Sequence, residues 1–197
     1  MKKVKEQDGA IAIEASIALT LFLFVILTFY SFFMVFEVQS KVSNALMNAA
    51  QSLSLDPYAT EKTDDSWNSN VKSAITNLAS STNVNEAQYT SSQRWYSSAT
   101  TAGGNADFSS AIEDRFYAYL TADGTRDAGN KLLNLLKVYE GADGMDFSQS
   151  YVDGEGNLVL KVRYYVTYIF DCPTINLPAV EFGQSAKSYL WKEEKIY

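Results

Sequence analysis

The side chain with the clearest chemistry in this chain is the carboxylate of Glu14, the one formal charge between Ala10 and Phe36 in an otherwise apolar run. A charge carried to membrane depth costs about 2.5–3.5 kcal/mol on insertion scales, so it calls for a compensating partner. Spacing suggests one. If the chain is cut after Gly9, the new α-amino group of Ala10 lies four residues before Glu14, and the two opposite charges share one region of a helix where they can pair with neighbouring copies. Left uncut, Glu14 reads instead as a carboxylate near the headgroups at the start of an anchor, stabilised by the positive end of the helix dipole.

Other acidic motifs have bland readings. Asp153-Gly154-Glu155-Gly156-Asn157 alternates oxygen ligands as calcium loops do, but it lacks the twelve-residue EF-hand pattern with its terminal bidentate Glu, and a hairpin turn is expected. Asp123-Gly124-Thr125-Arg126-Asp127 reads as a turn plus a helix cap. Asp64-Asp65 and Glu193-Glu194 are adjacent pairs, and adjacency in sequence does not set two carboxyls across a substrate. No metal site and no cofactor is expected.

The residue inventory narrows the function further. The chain has no His, which removes the commonest general base and metal ligand, and its single cysteine, Cys172, has no internal disulfide partner. Cys172 is expected to be a small buried apolar residue. With no nucleophile motif and no phosphate-binding loop, enzymatic activity is not expected. A formal net charge of -7 argues against nucleic acid as a partner. At 197 residues, 47% of them hydrophobic, the chain has room for one membrane segment and one modest soluble domain.

Those residues need elements to hold them. Ile17 to Phe36 carries no formal charge, and at about 1.5 Å per residue its twenty positions match a hydrocarbon core about 30 Å thick. A cleavable secretory signal would be shorter and would end at small residues, whereas this run ends in Phe36-Glu37-Val38-Gln39. Lys2, Lys3 and Lys5 precede the span and Glu37 follows it, so the positive-inside rule predicts a cytoplasmic N-terminus and an extracytoplasmic body. Ala12, Ser16 and Thr20 recur every four positions and offer a face where another helix could approach closely, though ordinary lipid-facing composition gives the same pattern. Val42, Leu46, Ala49 and Leu53 then continue an amphipathic pattern up to Asp56-Pro57. The expected organisation is a leader over 1–9, a long helix over 10–55 and an extracytoplasmic domain over 56–197.

That domain reads as α+β, with helices packed on a small antiparallel sheet. A helix is predicted around Ser66 to Leu78, another opening at a capping box Ser110-Ala111-Ile112-Glu113, and a third starting near Asp127, with Leu132, Leu133, Leu135, Leu136 and Tyr139 as its apolar face and Gly141 as its end. Phe147 to Val152, Leu158 to Phe170 and Phe182 to Trp191 are the expected strands. In the second of these, Leu158, Leu160, Val162, Tyr164, Val166, Tyr168 and Phe170 share one face.

Gly9 followed by Ala10-Ile11-Ala12-Ile13-Glu14, then Ala15-Ser16-Ile17-Ala18-Leu19 and a long apolar tail, resembles the leader and N-terminal helix of type IV pilin-like proteins, and within them the TadE-like group. The resemblance covers about the first forty residues. Type IV pilins proper have Phe directly after the cut where this chain has Ala10, and many TadE-like members have Pro near Thr20. The resemblance implies cleavage between Gly9 and Ala10 by a prepilin peptidase, Glu14 as the residue that sets register between subunits, and a structural role as a minor pilin or pseudopilin in pilus assembly, with adhesion as a further role. The implied partners are the peptidase, other pilin-like subunits with their assembly machinery, and membrane lipids. The alternative is an uncleaved, single-pass, membrane-anchored extracytoplasmic binding protein.

Overall fold

The computed structural model describes the backbone of residues 2–61, 73–74, 77–78, 81, 88, 95, 106–167 and 179–191, with side chains of the first helix from 11 to 57 and of the second from 108. The described elements are α1 (Lys2–Glu61), α2 (Ala106–Leu120), α3 (Arg126–Leu135), β1 (Tyr151–Val152), β2 (Asn157–Val166) and β3 (Val180–Tyr189). The strands form one antiparallel sheet in the order β1-β2-β3, so the fold is α+β. Two compact units divide the chain, Met1–Glu37 and Val38–Tyr197. Tyr168, Phe170, Cys172, Asp64-Asp65, Glu193-Glu194 and most of the helix expected around Ser66 to Leu78 lie outside the described residues.

Within the second unit, α1 is one-sided. Val38, Val42, Ala45, Leu46, Ala49, Ala50 and Leu53 are all buried, at the three- and four-residue spacing of a helix stripe, while Asn44, Asn48 and Gln51 are exposed. The helix passes the expected stop at Asp56-Pro57 and ends at Glu61. Proline has no N–H and so removes a backbone hydrogen bond to the preceding turn. Here that loss is offset by tertiary contacts, since Pro57 is buried and Asp56 is held by an arginine from α2. Two hydrogen bonds tie α1 to the end of the chain: the Gln184 amide donates to the carbonyl of Gln39 (3.1 Å) and the Trp191 N–H to that of Ser54 (3.1 Å).

The central strand carries the core of the sheet. Leu158, Leu160, Val162, Tyr164 and Val166 alternate along β2 and are all buried, as the period of two requires. Burial pushes the Tyr164 hydroxyl up to about 12. All ten residues of β2 pair with β3, from Asn157 opposite Tyr189 to Val166 opposite Val180. On its other edge β1 covers only the start. The expected strand from Phe147 shrinks to Tyr151–Val152 because the chain ahead of it bonds to β2 piecemeal. Ser150 uses its hydroxyl on the N–H (2.9 Å) and carbonyl (3.1 Å) of Lys161, Asp146 exchanges two backbone bonds of 2.9 Å with Arg163, and the Tyr139 N–H donates to Tyr165 (2.8 Å). Every second residue of that edge is therefore satisfied without a continuous strand.

The turn over 153–157 is the expected hairpin. The Asp153 carboxylate accepts the backbone N–H groups of Glu155 (3.0 Å) and Asn157 (2.7 Å), the Asn157 side-chain amide (2.8 Å) and the Lys187 ammonium (3.4 Å). Those bonds, led by that from the Asn157 backbone, hold the carboxyl below its ordinary pKa.

The helices depart from their sequence-based limits. α2 begins at Ala106, so the expected capping box at Ser110 and Glu113 lies inside the helix. The extra turn buries Phe108, which stacks on Trp95 with ring centroids 5.2 Å apart, and Glu113 pairs with Arg126 (3.0 Å) instead of capping. α3 starts one residue before Asp127, behind Thr125, whose hydroxyl accepts the Ala128 N–H (3.2 Å). It stops at Leu135, well before Gly141, and Leu133 and Leu136 are buried while Leu135 and Tyr139 are exposed, which narrows the expected apolar face. Gly129 brings α3 against α2, because a Cβ there would stand 2.6 Å from the Tyr117 ring. Tyr117 is itself fixed by donating to the Ala142 carbonyl (3.0 Å).

One buried cation joins these pieces. Arg115 on α2 has a side chain only 1% exposed and reaches the Asp56 carboxylate with two contacts of 3.1 and 3.2 Å. Its other guanidinium nitrogen contacts the Ser52 hydroxyl and the Gln88 carbonyl (3.0 Å). Trp95 donates to the same carboxylate (2.9 Å), and Tyr119 to the Gln88 carbonyl (3.0 Å). Removing one partner of such a pair strands the other charge, at a cost of about 3–5 kcal/mol. Arg115→Ala is therefore expected to destabilise the folded protein by about that amount, measured by denaturant unfolding in detergent, while Ser52→Ala, which removes one of several acceptors, costs about 1 kcal/mol.

Candidate membrane helix and register site

The first unit is apolar on every side. From Ile11 to Phe33 the large hydrophobic residues that crowd the helix are solvent-facing, from Leu27 at 42% exposed to Phe33 at 74%, and Met34 and Val35 beyond them are half-buried. A globular surface helix buries one stripe and turns polar residues outward. This segment has no polar face, and among the described residues it is the one helix long and apolar enough to cross a membrane. Its two threonine hydroxyls are satisfied internally, Thr20 donating to the Ser16 carbonyl (2.9 Å) and Thr28 to that of Phe24 (2.8 Å), whereas the Ser31 hydroxyl meets no partner. Such back-bonding lets threonine sit in hydrocarbon without an orphan donor.

The expected site residues all fall on this helix. Glu14 is exposed, as are Ala12, Ser16 and Thr20. At about 100° per residue, Ala12 and Ser16 lie within about 40° of one another, whereas Glu14 is about 200° from either, on the far side of the helix. The carboxylate and the small-residue stripe are thus separate faces. Ala10 and Glu14, one turn apart, share a face in the same way. The helical backbone runs through Gly9 and Ala10 from Lys2 without a break.

No group of three or more His, Cys, Asp or Glu is placed among the described residues to hold a metal ion. The residues that sequence reasoning missed are those of the Arg115 cluster, whose members Ser52, Asp56, Gln88, Trp95 and Arg115 are scattered along the chain and carry no motif. A charged residue between apolar neighbours in Ala111–Leu120 was the available signal, and its partner was not legible.

A membrane span makes a direct prediction. Two charges at its centre, Leu23→Arg with Ile26→Arg, each cost about 2.5–3.5 kcal/mol of insertion free energy. The wild-type chain is expected to resist carbonate extraction from membranes and the double variant to be released. No protein-family model, curated protein or solved structure matches the chain.

Proposed function

We propose that this protein is a pilin-like assembly subunit, of the TadE-like minor pilin or pseudopilin kind, held in the membrane by the first half of α1 and incorporated into a pilus or its base by helix packing. The observation that carries this reading is the placement of Glu14: a lone carboxylate in a helix with no polar face, one turn from Ala10 and on the side opposite the small-residue stripe. In a lipid-embedded monomer that charge is uncompensated. In an assembly, an Ala10 amine released by cleavage after Gly9 neutralises it on an adjacent copy and fixes the axial register, while Ala12, Ser16 and Thr20 let a further helix approach from the other side. Prepilin peptidase, other pilin-like subunits and membrane lipids are the partners of this reading, and the body carried by Val38–Tyr197 faces the extracytoplasmic side.

The test is intact-mass and N-terminal peptide analysis of the protein from membranes, with and without an active prepilin peptidase. A peptidase-dependent start at Ala10 is expected. A retained leader in both samples would replace this reading with the uncleaved, membrane-anchored binding protein. In a piliated background, Glu14→Ala is expected to be processed normally yet to enter assemblies at least tenfold less well; wild-type incorporation would remove the register role.

A further inference from the structure

Among the described residues the sheet has one closed edge and one open edge. Odd residues of β2 turn their backbone groups toward β1 and the 139–150 segment, so its even residues bond to β3, opposite Ser188, Ala186, Gln184, Phe182 and Val180. In β3 this leaves Glu181, Gly183, Ser185 and Lys187 with N–H and C=O groups directed away from the sheet, and among the described residues those groups meet no partner. All four residues are exposed, and even a Cβ on Gly183 would touch nothing within 4 Å. Natural edge strands are blunted by shortness, proline, bulges or charge. β3 is ten residues long, pairs in unbroken register and contains no proline. What it does contain is one acid and one base, Glu181 and Lys187, placed symmetrically about Gln184.

We propose that the outer edge of β3 pairs antiparallel with the same edge of a second copy of this chain, about a two-fold axis at Gln184. In that register Glu181 of each copy lies opposite Lys187 of the other, Gly183 lies opposite Ser185, and each such pair exchanges two backbone hydrogen bonds. Charge selects the register. Centring the pair on Gly183 or Ser185 leaves Glu181 opposite Ser185 or Tyr189, and centring it on Glu181 or Lys187 sets like charges face to face. The existing neighbours leave both groups available: Lys187 is 58% exposed and uses one of three donors on Asp153 at 3.4 Å, while Arg163, the cation nearest Glu181 across the sheet, is taken by Asp146 at 2.6 Å. The pairing does not depend on removal of the leader.

Two differently tagged full-length copies, both carrying Cys172→Ser, test this when co-expressed, one with Glu181→Cys and the other with Lys187→Cys. Oxidation of the membranes is expected to give a reducible mixed dimer, and none from either copy alone, because like positions then stand roughly 20 Å apart along the strands. The mixed dimer keeps one native Glu181–Lys187 pair. Reversing it with Lys187→Glu in the first copy is expected to lower cross-linking at least fivefold, and adding Glu181→Lys to the second to restore it. Absence of the mixed dimer from copies that keep wild-type protease resistance, equal cross-linking by either copy alone, or indifference to the charge reversal would each overturn the proposal.

Discussion

The body of this protein depends on how one buried cation is neutralised. Arg115 has lost its water, and an unpaired guanidinium in that position would outweigh several well-packed aliphatic side chains. Its contacts come from Ser52 and Asp56 near the end of α1 and from Gln88, and Trp95 adds a bond to the same carboxylate. Because these groups are far apart in sequence, satisfying one charge fixes the last turns of α1 against α2 and brings Gln88 and Trp95 to the same point. The same cluster accounts for the persistence of α1 through Pro57 and for the early start of α2, where Phe108 closes over Trp95.

α1 changes character along one backbone. Up to Phe36 it is apolar all round, and from Val38 it buries a single stripe whose alanines, Ala45, Ala49 and Ala50, leave room for close packing. The change occurs within a few residues, at Glu37 to Ser40, where the first charged and polar side chains after the apolar run appear. Glu14 is the one interruption in the first half. The assembly role proposed for Glu14 rests on this place in a helix without a polar face.

The sheet shows two ways of managing an edge. On the β1 side irregular chain and the Ser150 hydroxyl complete the ladder, with Arg163 and Asp146 paired at 2.6 Å over it. Multiple bonds to Asp146, led by those from Ser148, hold its carboxyl below the ordinary range. The β3 side has no such cover among the described residues, and its single acid and single base face outward.

Much of this was legible in the sequence. An apolar run of membrane length, the three- and four-residue spacing from Val42 to Leu53, the alternation from Leu158 to Val166 and the Asp-Gly turn between strands are local patterns, and each gave the element that forms, because backbone geometry repeats every 3.6 or every two residues whatever lies nearby. Glu14 stands out in the sequence in the same local way, as the one charge of an apolar run. The tertiary structure decided what those periods do not encode: that Ser110 and Glu113 sit within α2 and Phe108 extends it, that Leu135 and Tyr139 face solvent, that the strand expected from Phe147 is reduced to two residues, and that Arg115 finds Asp56. These outcomes depend on contacts between residues distant in the chain, and the desolvation of a charge or an aromatic ring is set by which distant groups arrive to cover it.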